Sequence, residues 1–300
     1  MHSSPAPAFF APPDLHPFVT DPALPGRLLS PEVRLIMVVG EADTGKTTLV
    51  ERLAGFLSRD RQVGVVDADM GQSHIGPPAT IGWGTVEGGF EGWEQVTPRD
   101  LYFTGAFSPV GNLVPSLAGA RFITALALQR CPVVVVDTTG LVNEPAGRVL
   151  KQYKIEMLRP QVVLVLERCG ELEHILAPYR FSGPAVYRLR VPGAVGAKQP
   201  PERASYRREL LRSYLEEGGE ETVRLDRVGV RFTRNPFPLE ERGLVNRMVS
   251  LRNEAGRDLA VGVATGISGD ELAVRRGPRL SGDEVALLMV GAETAAWEGG

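Results

Sequence analysis

The strongest pattern in the sequence is a single segment that reads Val38-Val39-Gly40-Glu41-Ala42-Asp43-Thr44-Gly45-Lys46-Thr47-Thr48. An apolar run enters a turn bounded by Gly40 and Gly45, and Lys46 and Thr47 follow directly. Glycines let successive backbone N–H groups point at phosphate oxygens, and the dipole of the following helix adds to their attraction. The lysine reaches the β- and γ-phosphates, and the threonine hydroxyl can ligate Mg²⁺. Residues 40–48 are therefore predicted to form a phosphate-binding loop.

Strands and helices alternate around and after this loop. Strands are predicted at 34–39, 62–67, 101–103, 132–137, 161–166 and 185–190, and helices at 46–58, 112–130, 144–158 and 201–217. Such alternation is typical of a parallel sheet covered by helices on both faces. The predicted fold class is α/β, a doubly wound parallel sheet of the P-loop NTPase type followed by a small β-rich domain.

The composition divides the chain into three predicted parts. Prolines are dense in residues 1–30, which are expected to form a surface arm without regular helix or central strand, anchored by Phe9, Phe10 and Phe18. Residues 31–218 are assigned to the P-loop domain, and residues 219–300 to the β-rich domain. Its strands are predicted at 244–251, 259–265, 271–275 and 285–290, while residues 222–243 receive no assignment.

Charge and composition limit the function classes. The net charge of −3 gives no general affinity for polyanions, so any surface that binds nucleic acid must be local. No apolar run reaches the roughly 18 residues that a membrane-spanning helix needs, and the first residues do not follow a signal-peptide pattern. Two cysteines and four unclustered histidines give no zinc motif. We expect a cytoplasmic protein with no membrane partner.

Acidic residues end two of the predicted strands. One strand runs into Asp67-Ala68-Asp69-Met70-Gly71-Gln72, and the other reads Val133-Val134-Val135-Val136-Asp137. Acids at such positions need water, metal or substrate to satisfy them, and P-loop proteins often place a magnesium-organising acid there. Asp67, Asp69 and Asp137, together with Thr47, are therefore candidate metal residues, and the sequence does not choose among the acids. The alternative is that Asp67 and Asp69 only cap the next turn.

Three further segments follow strand ends or precede the β-rich part. A loop of small residues, Ser108-Pro109-Val110-Gly111-Asn112, follows strand 101–103, and Thr138-Thr139-Gly140 follows Asp137. Residues 179–212 carry eight basic and two acidic residues, and Arg203 and Arg207 share a face of a predicted helix. Beside a phosphate-binding loop, residues 198–215 would form a lid that places guanidinium groups on phosphates. A solvated basic helix is the plain alternative.

In this order, the motifs resemble those of the polynucleotide 5′-hydroxyl kinase family, which includes the RNA kinase of the mRNA 3′-end cleavage machinery and the nucleolar pre-rRNA processing kinases. The resemblance extends from about residue 33 to residue 214 and continues more weakly to the C-terminal end. It implies ATP and Mg²⁺ as cofactors, and transfer of the γ-phosphoryl group to the 5′-hydroxyl of RNA, or of DNA. Leu141 departs from the family, which usually has a large aromatic residue at that position.

The resemblance also assigns roles to individual residues. Asp69 would be the base, Lys46 the phosphate-binding lysine, and Arg203 and Arg207 the lid pair, so these four form the expected catalytic group. A clasp beside the lysine would contain Thr138 and Gly140. The candidate substrate contacts are Gln72, Ser108, Asn112, Thr138 and Gly140.

Two other function classes compete with a kinase. One is a P-loop GTPase or ATPase of the metallochaperone or assembly-factor type. Glu167-Arg168-Cys169-Gly170 stands where a guanine-recognition motif would follow strand 161–166, which argues against a GTPase. The other is a non-catalytic RNA-binding scaffold with bound ATP. The sequence does not decide whether the substrate is RNA or DNA, whether it is single- or double-stranded, or whether the phosphate donor is ATP or GTP. It also leaves the protein partners and the oligomeric state open.

Overall fold

The computed structural model describes residues 15, 17–19, 21–193, 199–234 and 241–295. Its helices are α1 (Leu24–Leu29), α2 (Lys46–Leu57), α3 (Leu113–Arg130), α4 (Ala146–Leu158), α5 (Glu173–Leu176), α6 (Pro200–Glu216) and α7 (Glu241–Leu244). Its strands are β1 (Leu35–Gly40), β2 (Val63–Ala68), β3 (Thr80–Val86), β4 (Asp100–Phe103), β5 (Val133–Thr138), β6 (Val162–Glu167), β7 (Ala185–Arg190), β8 (Gly219–Arg224), β9 (Gly229–Phe232), β10 (Arg247–Arg252), β11 (Asp258–Ser268), β12 (Glu271–Arg276) and β13 (Leu287–Thr294). None of the described helices combines the length and the apolar character that crossing a bilayer requires.

The first sheet has the strand order β4-β3-β2-β5-β1-β6-β7. From β2 to β7 every neighbouring pair is parallel, as predicted, whereas β3 runs antiparallel to both β2 and β4. The sequence prediction missed β3 because its glycines weaken the strand pattern. Gly82 is needed there, since a Cβ at this position would lie 2.4 Å from the carbonyl oxygen of Ile75.

Helices cover both faces of this sheet, and the central strands are accordingly apolar up to the residues that end them. The strands β1, β2, β5 and β6 are buried throughout. On one face α1 and α2 share a core with these strands, and on the other α3 and α4 pack together. The polar residues that end these strands therefore emerge at one edge of the sheet.

The β1 side chains that face α1 and α2 are Ile36 and Val38, both fully buried. On the opposite face of the same strand, Leu35, Met37 and Val39 pack towards α3 and α4. This alternation places the end of β1, and the loop that follows it, between two helical layers. The loop is therefore held on both sides by the core.

The proline-rich arm differs in one respect from the prediction, which excluded a regular helix from residues 1–30. Residues 24–29 form α1, because Pro25 lies in the first turn, where its missing N–H is not needed by the helix. Phe18 is 3% exposed and packs in the core under the sheet, so its predicted anchoring is confirmed. Phe9 and Phe10 lie outside the described residues.

A second sheet follows α6, with the strand order β8-β12-β11-β10-β13-β9. Its pairs are antiparallel except for β13 and β9, which are parallel. The range 222–243, which received no assignment, contains part of β8 and all of β9. The predicted strand at 244–251 begins later, at Arg247, because α7 occupies the preceding residues. The domain limits at residues 30 and 218 stay a prediction.

A buried carboxylate joins the second sheet to the first. The backbone N–H of Phe103, at the end of β4, donates to Asp258 Oδ2 at 2.8 Å. Arg252 donates to both oxygens of Asp258, at 3.0 and 2.8 Å, and all of these groups are buried. The second sheet therefore fixes the end of β4 and the start of the loop over residues 104–112, which we call the acceptor loop.

Candidate active site

The phosphate-binding loop has the shape that its glycines predict. It begins where β1 ends at Gly40, passes through left-handed backbone at Asp43 (φ 53°) and Gly45 (φ 85°), and enters α2 at Lys46. A Cβ on Gly40 would lie 2.7 Å from Thr44 Oγ1 and 2.9 Å from the carbonyl oxygen of Leu166. No larger residue fits at Gly40, because β6 and the loop itself close on both sides.

Lys46 lies at the centre of this loop and is 7% exposed. Its Nζ donates to the carbonyl oxygen of Glu41 at 2.5 Å. Burial lowers the pKa of Lys46, while the negative charges of Asp137, Asp69 and Asp43 act in the opposite direction. The carbonyl oxygen of Glu41 therefore fixes the position of the Lys46 side chain within the loop.

Asp137 is the acid that faces the start of α2. Thr47 Oγ1 donates to Asp137 Oδ2 at 2.9 Å, and Oδ1 is buried without a hydrogen-bond partner in the described part of the chain. Burial raises the pKa of Asp137, and Lys46 and the Thr47 hydrogen bond oppose that shift. A threonine hydroxyl beside an unsatisfied carboxylate oxygen fits a hydrated Mg²⁺, which protein sites usually bind through few side chains plus water and phosphate. The described ranges hold no cluster of three or more metal-ligating side chains.

Asp67 has a different environment from Asp137, although the two residues lie on neighbouring strands. It is 1% exposed and accepts hydrogen bonds from the backbone N–H groups of Asp69, His74 and Ile75 and from the Ser73 hydroxyl. Burial, followed by the negative charge of Asp137, raises the pKa of Asp67 to about 8. These contacts favour the turn-capping role for Asp67: it shapes residues 69–75, which we call the acid loop.

Asp69 stands on the acid loop and lines a cleft. Its Oδ1 accepts from the backbone N–H groups of Gly71 at 3.0 Å and Gln72 at 3.2 Å. The described residues donate no hydrogen bond to Oδ2. One oxygen therefore fixes the orientation of the carboxylate, and the other is available to a substrate hydroxyl.

The cleft has a volume of about 580 Å³ and unites most of the predicted site. Its lining includes Ala42, Asp43, Gly45, Lys46, Thr47, Thr48, Asp69, Gln72, Ser108, Gly140, Arg203 and Arg207. The acid loop and the acceptor loop meet at its wall, since a Cβ on Gly71 would lie 2.5 Å from the carbonyl oxygen of Phe107.

Two predicted substrate contacts do not line the cleft. Asn112 is 3% exposed, and its Nδ2 donates to the carbonyl oxygens of Ser108 at 3.0 Å and Val110 at 3.2 Å. Thr138 is fully buried, and its hydroxyl donates to the carbonyl oxygen of Val38 at 2.7 Å. Both side chains hold the backbone of loops that border the cleft, and contact with substrate is not favoured for either.

The lid predicted over residues 198–215 corresponds to α6, whose Arg203 and Arg207 line the cleft, and residue 198 lies outside the described residues. Arg203 Nη2 pairs with Asp43 Oδ2 at 2.5 Å, and Tyr206 donates its hydroxyl hydrogen to the carbonyl oxygen of Ser73 at 3.0 Å. The guanidinium of Arg207 lies over the ring of Phe107, 5.1 Å from its centroid. The two arginines thus lie on different sides of the cleft, Arg203 at the phosphate-binding loop and Arg207 at the acceptor loop.

Some residues at this site were not predicted from the sequence. Phe107, His74 and Glu51 line the cleft, and Arg168 approaches the phosphate-binding loop. Arg168 Nη2 donates to the carbonyl oxygen of Asp43 at 3.3 Å, and Nη1 lies 3.7 Å from Glu41 Oε2. An aromatic residue within the small-residue stretch Gly105-Ala106-Phe107-Ser108 was the available signal for Phe107. Nothing local to Arg168 predicts its contact, which joins residues 125 positions apart.

A family model described as mRNA cleavage and polyadenylation factor CLP1 P-loop matches residues 40–217. The chain belongs to this family. Membership confirms the resemblance drawn from the motif order, and with it the α/β P-loop fold class. The match covers the phosphate-binding loop, the acid loop, the acceptor loop and α6.

Among curated proteins, the polyribonucleotide 5′-hydroxyl-kinase of Pyrococcus horikoshii is 34% identical over 229 residues, which cover 75% of this chain and 62% of that protein. The protein of the same name from Methanocaldococcus jannaschii is 34% identical over 181 residues, 60% of this chain and 50% of that protein. The chain thus spans 50–62% of the length of these two relatives.

The fold is also found among solved structures. The Clp1p chain in the structure of the wild-type Clp1p–Pcf11p complex superposes with a TM-score of 0.65, covering 87% of this chain and 74% of that one. Its sequence identity is 14%, so the similarity concerns the fold alone.

Proposed function

We propose that the protein is an ATP-dependent polynucleotide kinase that transfers the γ-phosphoryl group of ATP to the 5′-hydroxyl of RNA. The observation that carries the proposal is the shared cleft, in which Lys46 and the available oxygen of Asp69 face the same space. The names of the relatives, polyribonucleotide 5′-hydroxyl-kinases, support the same reaction.

The donor side of the reaction is assigned to the phosphate-binding loop. Backbone N–H groups of residues 41–47 and the ammonium of Lys46 would bind the phosphates of ATP. Thr47 and Asp137 have the oxygen donors for Mg²⁺, which when bound neutralises charge on the phosphates. Arg203, already paired with Asp43 on this loop, would add a guanidinium to the transferring group.

The acceptor side is assigned to Asp69. Its Oδ2 would accept the proton of the 5′-hydroxyl while the hydroxyl oxygen forms a bond to the γ-phosphorus. The bond from the γ-phosphorus to the bridging oxygen then breaks, and ADP leaves with the electron pair of that bond. Gln72 and Ser108 also line the cleft and are proposed to contact the terminal nucleotide.

The test compares labelled transfer on matched oligonucleotides. Purified protein is incubated with γ-labelled ATP and with RNA or DNA that ends in a 5′-hydroxyl or a 5′-phosphate, single-stranded and duplex. We expect label on the 5′-hydroxyl RNA and ADP release that depends on the hydroxyl. Release of ADP regardless of the 5′ end would indicate an NTPase, and absence of ATP consumption would indicate a scaffold; either result contradicts the proposal.

The variant Asp69→Asn tests, in the same assay, whether Asp69 is the base. This variant keeps the size of the side chain and removes the proton acceptor, so ATP binding should persist while transfer falls by roughly 10²-fold or more. Asp60→Asn, at an exposed position after α2, is the matched control and should transfer at the wild-type rate. If Asp69→Asn retains full transfer, the base is a different residue.

A further inference from the structure

Two lysines of α4, Lys151 and Lys154, are buried beneath the site just described. Lys151 is fully buried and Lys154 is 1% exposed. Lysine is rarely buried to this degree without a partner, because its ammonium loses hydration. The contacts of the two side chains therefore show what each contributes.

Lys151 has two hydrogen-bond acceptors, both in the segment that follows Asp137. Its Nζ donates to Thr138 Oγ1 at 2.8 Å and, through a short contact, to the carbonyl oxygen of Thr139. The Thr138 hydroxyl donates in turn to the carbonyl oxygen of Val38 at 2.7 Å. Since Val38 lies in β1, two residues before Gly40, one amine connects α4 to the end of β5 and to the strand that leads into the phosphate-binding loop.

The segment that Lys151 holds is residues 138–140, the clasp of the sequence analysis. It lies directly against the phosphate-binding loop, because a Cβ on Gly140 would lie 2.5 Å from the backbone nitrogen of Ala42. Thr139 and Gly140 also line the cleft. With no clearance between the two segments, a shift of the clasp changes the space in which the phosphates and the acceptor meet.

The amine of Lys151 acts in this arrangement as a hydrogen-bond donor. Burial, with the positive charges of Lys154 and Lys46, lowers the pKa of Lys151 well below its usual value. The protonated and the neutral amine each have enough N–H bonds for the two acceptors. Lys154, one turn further along α4, has a buried Nζ with no hydrogen-bond partner among the residues described.

We propose that Lys151 is a positioning residue that holds the clasp against the phosphate-binding loop and thereby sets the geometry of phosphoryl transfer. The inference rests on the proposed kinase function and assigns Lys151 no contact with substrate. A displacement of about 1 Å at a reacting centre lowers turnover by roughly 10²-fold. Loss of Lys151 should therefore affect kcat, whereas ATP affinity depends mainly on the loop and Lys46.

The test is Lys151→Met, which keeps most of the length of the side chain and removes its N–H donors. We expect kcat for transfer to fall by roughly 10- to 10²-fold, with a Kd for ATP within about 3-fold of wild type. Gln152→Met is the matched control: it is adjacent on α4 and also loses two hydrogen bonds to backbone carbonyls, those of His174 and Ile175 in α5, without touching residues 138–140. Its kcat should equal that of wild type.

Two further variants distinguish the loss of the Lys151 hydrogen bonds from the loss of a buried charge and from misfolding. Lys154→Met removes an equally buried amine that has no hydrogen bond to the described residues, and its kcat should stay within about 3-fold of wild type. Thr138→Val removes one of the two acceptors of Lys151 and the Thr138 hydrogen bond to Val38, and it leaves the carbonyl oxygen of Thr139 in place. The losses of Thr138→Val and Lys151→Met should therefore be less than additive in the double variant. If Lys151→Met does not fold, Thr138→Val alone makes the test.

Three results would overturn the assignment of Lys151. These are wild-type kcat in Lys151→Met (or, if that variant does not fold, in Thr138→Val), an equal loss in Gln152→Met, and an equal loss in Lys154→Met, which would identify buried charge as the cause. Failure of the proposed function gives a different result, since wild-type protein would then transfer no label to a 5′-hydroxyl end.

Discussion

Replacing Lys154 with methionine is expected to stabilise the protein in a pH-dependent way. Burial lowers the pKa of Lys154 from 10.5 to about 8, although the negative charges of Asp69, Asp137 and Asp67 oppose that shift. A pKa change of this size corresponds to roughly 3 kcal/mol of unfolding free energy. Because Nζ has no hydrogen-bond partner in the described ranges, methionine removes this cost without breaking a contact seen there.

The sign of the pH dependence follows from the direction of the shift. Between pH 8 and about 10.4 the unfolded chain binds the proton of Lys154 and the folded chain does not, so wild-type stability rises with pH across this window. Below pH 8 the full cost of burial is present, and above the window it vanishes. Lys154→Met should therefore exceed wild type by up to roughly 3 kcal/mol at about pH 7 and match it near pH 10.5.

Urea unfolding of both proteins at about pH 7, 9 and 10.5, followed by circular dichroism, measures the difference across the window. Lys151→Met serves as the comparison, because it also removes a buried amine but loses two hydrogen bonds and should gain less. A gain that is the same at all three pH values would refute the reasoning, since it would come from packing alone. A loss of stability at neutral pH would show that the three acids need the charge of Lys154.

Three other predictions concern the cleft and the junction of the sheets. Lys46→Ala should lose transfer and weaken ATP binding, and wild-type labelling by this variant would place the reaction elsewhere. Arg203→Ala and Arg207→Ala should each lower kcat by roughly 10²- to 10³-fold with the fold intact, measured by steady-state kinetics and thermal unfolding; unchanged turnover in both would favour a solvated basic helix for α6. Asp258→Ala leaves Arg252 buried without its partner and should lower the unfolding free energy by roughly 3–5 kcal/mol in urea titrations, whereas a change below about 1 kcal/mol would mean that water replaces the carboxylate.

Local patterns predicted most of the first sheet because its elements depend on neighbouring residues. Four of the five parallel strands, β1, β2, β5 and β6, follow mainly apolar runs, and the loop between β1 and α2 follows from the glycine spacing. The antiparallel strand β3 was missed because Gly82 and Gly84 are required by close contacts that the local pattern does not contain. The prediction wrongly excluded the helix α1. A helix tolerates proline in its first turn, and Pro25 lies there.

The sequence by itself determined that a phosphate-binding loop, two acid-ended strands and a basic helix occur in this order, since each depends on residues a few positions apart. Only the tertiary structure distinguished Asp137 from Asp67, because the partners that decide their roles are Thr47, 90 residues from Asp137, and the backbone of the acid loop. The environment of Lys151 was equally invisible in the sequence. A lysine on a helix is expected to be exposed, and only the packing of α4 shows that this amine lies against the end of β5. Burial there strengthens the hydrogen bonds that the amine donates.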